Sequence, residues 1–405
     1  MSDVPAAGAH PFAAQSLPAW KRAVLKVGSS LLAGEGGLTP RYAAHLAAFV
    51  RDAQARGREV VIVSSGAVAA GRGIVGSAPR AGAQMAERQA LAALGQARLM
   101  AFWQGFFERP VAQVLLTHDD VRNRRRYLNA RATLQELLRR GALPIVNEND
   151  TVSVDELKLG DNDTLGAIVA ALIDADVLFL ATDIDGLYDA DPRRMPDARP
   201  IPQVTALTPD VMAMAGAAGS AVGTGGMRTK LLAAERASAA GIATVLLNGT
   251  RAEVLAALGE DRLHGTRIVP ERSRGAARKH WLAQAPAEGA LHVDAGAARA
   301  LLDRGASLLP SGVQDAVGEF RRGDVVEIFL RDAKGAAQRI ARGIVQYSAA
   351  DIRRLCRRNS RDIDAVLGYN YGDTVVHRDD LSLLASRPAG DDGRSVSPPQ
   401  ESSPA

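Results

Sequence analysis

The chain has a single cysteine, Cys356, so no disulfide can form within it. That scarcity also argues against a metal site built from thiolates. No apolar run reaches the roughly 18 residues that a membrane span needs. The N-terminal stretch mixes Ala, Pro, Gly and His, without the basic start and apolar segment of a signal peptide. A reducing, cytoplasmic setting with no membrane partner is therefore expected. Aromatic residues make up only 4% of the chain, so its core must be built largely from Ala, Val, Leu and Ile. Neither sign of charge dominates: 49 Lys and Arg face 45 Asp and Glu. A formal net charge of +4 over this length does not by itself argue for nucleic acid.

What is present is a large hydrophobic fraction, 47% of 405 residues, enough for two or three domains with real cores. Short β-branched or aliphatic runs at 23–27, 60–63, 111–116, 143–146, 177–180 and 244–247 read as strands. Helical patterns lie between them, for example at 39–56, 84–109 and 229–240. Strands alternating with helices predict an α/β fold: an open, mostly parallel sheet with helices on both faces. After about residue 265 the segments shorten, with turns at Arg322-Gly323-Asp324 and Ala333-Lys334-Gly335, which predicts a small β-barrel-like domain. The expected organisation is a flexible leader over 1–20, the α/β domain over 21–275 and a linker over 276–286. The β-rich domain would then occupy 287–386, with a disordered tail over 387–405.

The polar residues cluster where strands end. Asn147-Glu148-Asn149-Asp150 follows one strand, and Gly160-Asp161-Asn162-Asp163 precedes an apolar helix start. Such edges are where open α/β sheets hold ligands; capped turns favour the same residues. Lys26 interrupts an apolar strand just before Gly28-Ser29-Ser30. A lysine there can meet a phosphate while backbone N–H groups hold its oxygens, or it can simply reach to solvent. Ser64-Ser65-Gly66-Ala67 lacks the Gly-x-Ser-x-Gly spacing of a nucleophile elbow, so binding suits it better than catalysis. Thr224-Gly225-Gly226-Met227-Arg228-Thr229-Lys230 leads from a glycine into a helix whose N-terminus favours an anion. Lysines, glycine turns and carboxylates, with no catalytic histidine in view, suit phosphoryl transfer, which needs positioning and charge neutralisation above all. Cys356 lies in a basic run, 353–358, that could lower its pKa.

These blocks together resemble the amino acid kinase family, and within it the branch that phosphorylates the γ-carboxylate of L-glutamate, the first step of proline biosynthesis. The resemblance runs from about residue 21 to 386. It includes a stretch around 304–324 that is similar to a PUA domain. It implies that Lys26 and Lys230 contact the ATP phosphates and that Asp163 holds both lysines, these three forming the catalytic set. It implies glutamate binding by Ser65, Asn147, Asp150 and Asn162, with Asp161 close by. Thr182, Asp183, Thr224, Gly225, Gly226, Met227, Arg228, Thr229 and Lys230 would line the ATP site, with Mg²⁺ carried on the nucleotide and no protein metal site. L-Proline as feedback inhibitor and a homo-oligomeric assembly are also implied.

Two alternatives stay open at this stage. One is another kinase of the same fold, acting on N-acetylglutamate, aspartate or a nucleoside monophosphate. The other is RNA binding through the PUA-like domain. Arg353, Arg354, Arg357 and Arg358 favour the latter, whereas the β-rich segments lack the interleaved exposed aromatics that stack on bases.

Overall fold

The computed structural model describes residues 10–76, 85–152, 162–215, 226–331 and 337–384. The chain divides into two units, Met1–His280 and Trp281–Ala405.

The first unit is built on an eight-stranded sheet. Its strands are β1 (Arg22–Val27), β2 (Glu59–Ser64), β3 (Val111–Leu116), β4 (Leu143–Glu148), β5 (Val177–Thr182), β6 (Gln203–Val204), β7 (Ala243–Asn248) and β8 (Gly265–Ile268). They lie in the order β3-β4-β2-β1-β5-β7-β8-β6, parallel throughout except where β8 pairs antiparallel with β7. The central strands are apolar on both faces, as a covered parallel sheet demands. In β1, Ala23, Leu25 and Val27 face one core and Val24 faces the other; in β2, Val60 and Ile62 oppose Val61 and Val63.

Helices α1 (Pro40–Ala55), α2 (Ala67–Val75) and α3 (Met85–Gln104) pack on the first face. Helices α4 (Arg124–Arg139), α5 (Asn162–Leu172) and α6 (Met227–Ala239) pack on the second, and α7 (Ala252–Gly259) returns to the first. Thr39 caps α1 through its hydroxyl, with Pro40 at the first helical position, so that helix starts where sequence pattern puts it. Helices α2 and α3 touch at backbone distance. A Cβ on Gly71 would lie 2.0 Å from the Leu91 carbonyl oxygen, and one on Gly95 1.8 Å from that of Ala67.

The second unit holds a five-stranded sheet of β9 (Gly289–Val293), β10 (Val313–Gly318), β11 (Val325–Arg331), β12 (Ala337–Val345) and β13 (Val376–Leu383), ordered β10-β9-β11-β12-β13. Only β9 and β11 run parallel, and bulges interrupt three of the pairings. One face buries Leu291, Val293, Ile328, Val345, Tyr347 and Ile352. Burial raises the pKa of Cys356 against the lowering pull of Arg357 and Arg353, so the thiol is not activated by its basic neighbours.

Two stretches differ from expectation. Over 276–286, where a linker is expected, the chain forms helix α8 (Arg274–Gln284). Ala277 and Leu282 are buried, and Arg274 meets Asp176 at 2.6 Å. Arg274 and Arg278 on this helix pair with Asp176 and Asp174, just before β5.

The leader is not free beyond residue 10. Phe12, Leu17 and Trp20 are buried, and Gln15–Ser16 pairs with Arg262–Leu263. Phe12 lies edge-on to Tyr188 and directly beneath Gly186, where a Cβ would come within 2.6 Å of its ring. Isolated apolar residues among Pro, Ala and Gly carry no periodic signal, so composition alone could not reveal the docking. Phe12→Ala should lower stability by about 3 kcal/mol, the usual cost of emptying a buried aromatic site. Urea unfolding would register this as an earlier first transition, and an unchanged midpoint would mean that the segment contributes nothing.

Candidate active site

Six parallel strands end on the same edge of the sheet, so the residues at their carboxyl ends are brought side by side. Strand pairing sets Lys26 level with Val63 and Leu180, Val63 level with Val146, and Thr182 level with Asn248. Side chains alternate along a strand, so Lys26 faces the same side as Val24, toward α5 and α6. Gly166, one turn into α5, leaves room for its stem: a Cβ there would be 3.4 Å from Lys26 Cβ.

Asp163, the second residue of α5, is fully buried and stands between two ammonium groups. Lys26 Nζ lies 2.5 Å from Oδ1, and Lys230 Nζ lies 3.0 Å from Oδ2. Lys26 and Lys230 are themselves only 6% and 5% exposed. Thr229 Oγ1 is 3.1 Å from the same Oδ2 and 2.8 Å from the Gly226 carbonyl. A carboxylate in the first turn of α5 agrees with the helix dipole, whereas Lys230 in the first turn of α6 opposes it. Asp163 offsets that opposition. Burial pushes the Asp163 pKa up, but the attraction of Lys26 and Lys230 and their hydrogen bonds outweigh it and hold the group at about 2.

Beside this triad lies a neutral polar cluster. Asn162 Nδ2 donates to Ser65 Oγ at 2.7 Å and to Asn147 Oδ1 at 3.1 Å. Asn147 is the fifth residue of β4, and Ser65 follows β2, where Gly66 at φ +108 turns the chain sharply into α2. Half-buried Asp150 is in the turn just after β4. Thr182 Oγ1 reaches Asp183 Oδ1 at 3.1 Å, and Asp183 is otherwise exposed opposite Arg193. Helix α6 starts at Gly226 without a side-chain cap, so the N–H groups of its first turn, with Lys230, are available to an anion. That fits a nucleotide phosphate chain. Among the expected residues, Thr224, Gly225 and Asp161 lie outside the described ones; Met227 and Arg228 open α6. Among the described residues no group of three or more His, Cys, Asp or Glu side chains could hold a metal ion.

Sequence reasoning missed a further polar group at the same edge. Asn248 ends β7 and donates to Asp185 at 2.8 Å, while Arg251 Nε lies 3.1 Å from the same carboxylate. The turn Asn248-Gly249-Thr250 after a buried strand is the same signal that marked the other turns, and it could have been read.

Asp163 should contribute stability that depends on pH in a defined direction. Its folded pKa is depressed from an ordinary 3.8 to about 2, so the contribution is complete above pH about 4 and is lost as pH falls through about 2. At ~1.36 kcal/mol per pKa unit this amounts to roughly 2 kcal/mol. The gap in urea midpoint between the parent chain and Asp163→Asn should therefore narrow between pH 5 and pH 2. A gap that stays constant would contradict the ion-paired assignment.

Comparison with known proteins matches residues 21–248 to the profile of the amino acid kinase family and residues 289–367 to that of the PUA domain. The glutamate 5-kinase of Xanthomonas oryzae pv. oryzae (strain KACC10331 / KXO85) is 70% identical over 363 residues, covering 89% of this chain and 100% of that one. The glutamate 5-kinase of Xylella fastidiosa (strain 9a5c) is 64% identical over 375 residues, covering 92% and 98% respectively. With its parallel sheet, its two lysines converging on Asp163 and these matches, the chain belongs to the amino acid kinase family.

Proposed function

We propose that the chain transfers the γ-phosphoryl group of ATP to the γ-carboxylate of L-glutamate, giving L-glutamyl 5-phosphate and ADP, as the first step of proline biosynthesis. The observation that carries the chemistry is the buried Lys26–Asp163–Lys230 triad at the edge where six parallel strands end. The acceptor is supported by relatives that are glutamate 5-kinases at 64–70% identity over nearly their whole length.

In this reading a carboxylate oxygen of glutamate forms a bond to the γ-phosphorus, and the bond from that phosphorus to the bridging oxygen breaks, its electron pair leaving with ADP. No proton has to move, because the acceptor is already ionised at neutral pH. That explains how the triad can serve without a histidine among its members. Lys26 and Lys230 neutralise charge on the transferring group, and Asp163 keeps both ammonium groups aimed. Further neutralisation there would come from Mg²⁺ carried on the nucleotide. Ser65, Asn147 and Asn162 offer hydroxyl and amide groups to the carboxylates of glutamate, and Asp150 suits its ammonium. Thr182, Asp183 and Thr224–Lys230 line the nucleotide. A cytoplasmic setting, feedback by L-proline and assembly into a homo-oligomer go with this reading.

Hydroxylamine traps an acyl phosphate as hydroxamate, and ADP release reports turnover. Both should appear with L-glutamate, and Lys230→Ala and Asp163→Ala should each lose on the order of 100-fold or more in rate. Product with N-acetylglutamate or aspartate in place of glutamate would move the acceptor and keep the triad. No hydroxamate from folded protein with any acceptor would overturn the reading.

One observation favours a second reading for the other unit. The stacking side chains that the β-rich segments lacked on sequence grounds are present: Tyr369 and Tyr371 are 39% and 49% exposed, their rings 5.2 Å apart. The Arg322 guanidinium lies 3.8 Å from the Tyr371 ring centroid. Exposed aromatics with an arginine suit single-stranded RNA. Binding of an RNA oligonucleotide to the full chain should weaken with salt and with Tyr371→Ala; binding that ignores the substitution would exclude this surface.

A further inference from the structure

We propose that Trp103 is a positioning residue for the acceptor side of the site, acting through Ser64. This rests on the glutamate-phosphorylating reading above. The Trp103 indole is fully buried, yet its N–H is not left without a partner: Nε1 donates to Ser64 Oγ at 2.9 Å. Ser64 is equally buried at the end of β2, and its hydroxyl donates to the Ser65 carbonyl at 2.9 Å. Ser65 Oγ in turn accepts from Asn162 Nδ2, which also donates to Asn147. Ser65, Asn162 and Asn147, three of the side chains assigned to glutamate, are thus tied through the Ser65 backbone and Ser64 to a tryptophan on α3.

The directions of these bonds matter. A serine hydroxyl has one proton. Because Ser64 gives its proton to the Ser65 carbonyl, only a donor can complete its coordination, and an indole is a donor only. Because Ser65 Oγ accepts from Asn162, it keeps its own proton for an incoming carboxylate. Trp103 and Ser64 are both fully buried, so the bond between them would be costly to leave unmade and holds each in one orientation.

The backbone supports the same point from a second direction. Gly95, two turns before Trp103 on α3, touches the Ala67 carbonyl so closely that a Cβ would lie 1.8 Å away. Helix α3 therefore grips the Ser64–Ala67 turn twice, once at the backbone and once through the indole. Phe102 and Phe106, at 5.8 and 6.1 Å from the Trp103 ring, keep it in place.

Trp103→Phe keeps a ring and removes only the donor. Its Michaelis constant for L-glutamate should rise roughly three- to tenfold, the range for one lost neutral hydrogen bond. The constant for ATP and the turnover number should stay within about twofold, because the triad is untouched. Ser64→Ala removes the acceptor and should give the same split, with the double variant no worse than either single one. The parent's tryptophan emission should change as L-glutamate is added, and Trp103→Phe should abolish that change. Should Trp103→Phe fail to fold, Ser64→Ala carries the kinetic test alone. A glutamate constant unchanged in folded variants, or an emission change that survives in Trp103→Phe, would overturn the inference while leaving the kinase reading intact. Absence of turnover with L-glutamate in the parent chain would overturn both.

Discussion

A carboxylate without access to water is tolerable only when cations surround it, and Asp163 is such a group. Its position dictates much else in the first unit. Lys26 must end a central strand, so β1 carries a charge where every neighbour is aliphatic. Lys230 must lie in the first turn of α6, although the helix dipole opposes a cation there. Gly166 lies against the Lys26 stem, where a Cβ would be 3.4 Å from Lys26 Cβ. These would be faults in a sequence selected for stability alone. They agree once the three charges are taken as one object.

The same logic explains why the polar residues lie on a single edge of the sheet. Parallel strands place all their carboxyl ends together, so turns far apart in sequence become neighbours without any long-range polar contact to guide them. The hydrophobic registers of the two faces do that work. A one-residue slip in β1 would turn Lys26 toward the α1 side, away from Asp163, and Val24 with it. The aliphatic alternation of Ala23 to Val27 is thus as much a part of the site as the lysine.

Much of this could be read in the chain itself. Strand limits at Val111–Leu116 and near Leu143, Val177 and Ala243 follow from short aliphatic runs between turns, and helix α1 follows from Thr39 and Pro40. Lys26 stood out because it breaks a local rule by interrupting an apolar strand, whereas Asp163 and Lys230 sit at helix starts and took their roles from the resemblance. What escaped lay where the rule was obeyed or the signal was non-local. Strand Gly265–Ile268 and the edge strand Gln203–Val204 are too short to show alternation. The docking of Phe12 depends on a gap beneath Gly186 that only the folded chain creates. Trp103 looked like one more apolar residue in a helix, since the direction of an N–H cannot be read from spacing. Exposure of Tyr369 and Tyr371 was likewise invisible, because glycines and polar residues flank them as they would in any turn.

The triad also has an arithmetic consequence. Two ammonium groups face one carboxylate in a place where each lysine is less than a tenth exposed, so the three side chains together carry one positive charge in excess. Within the triad no further anion answers it; an incoming phosphate would. An anion bound there would add to the attraction that already holds the three side chains together. Occupancy and resistance to unfolding then become two expressions of one electrostatic term, so the ligand acts as a late-arriving part of the fold.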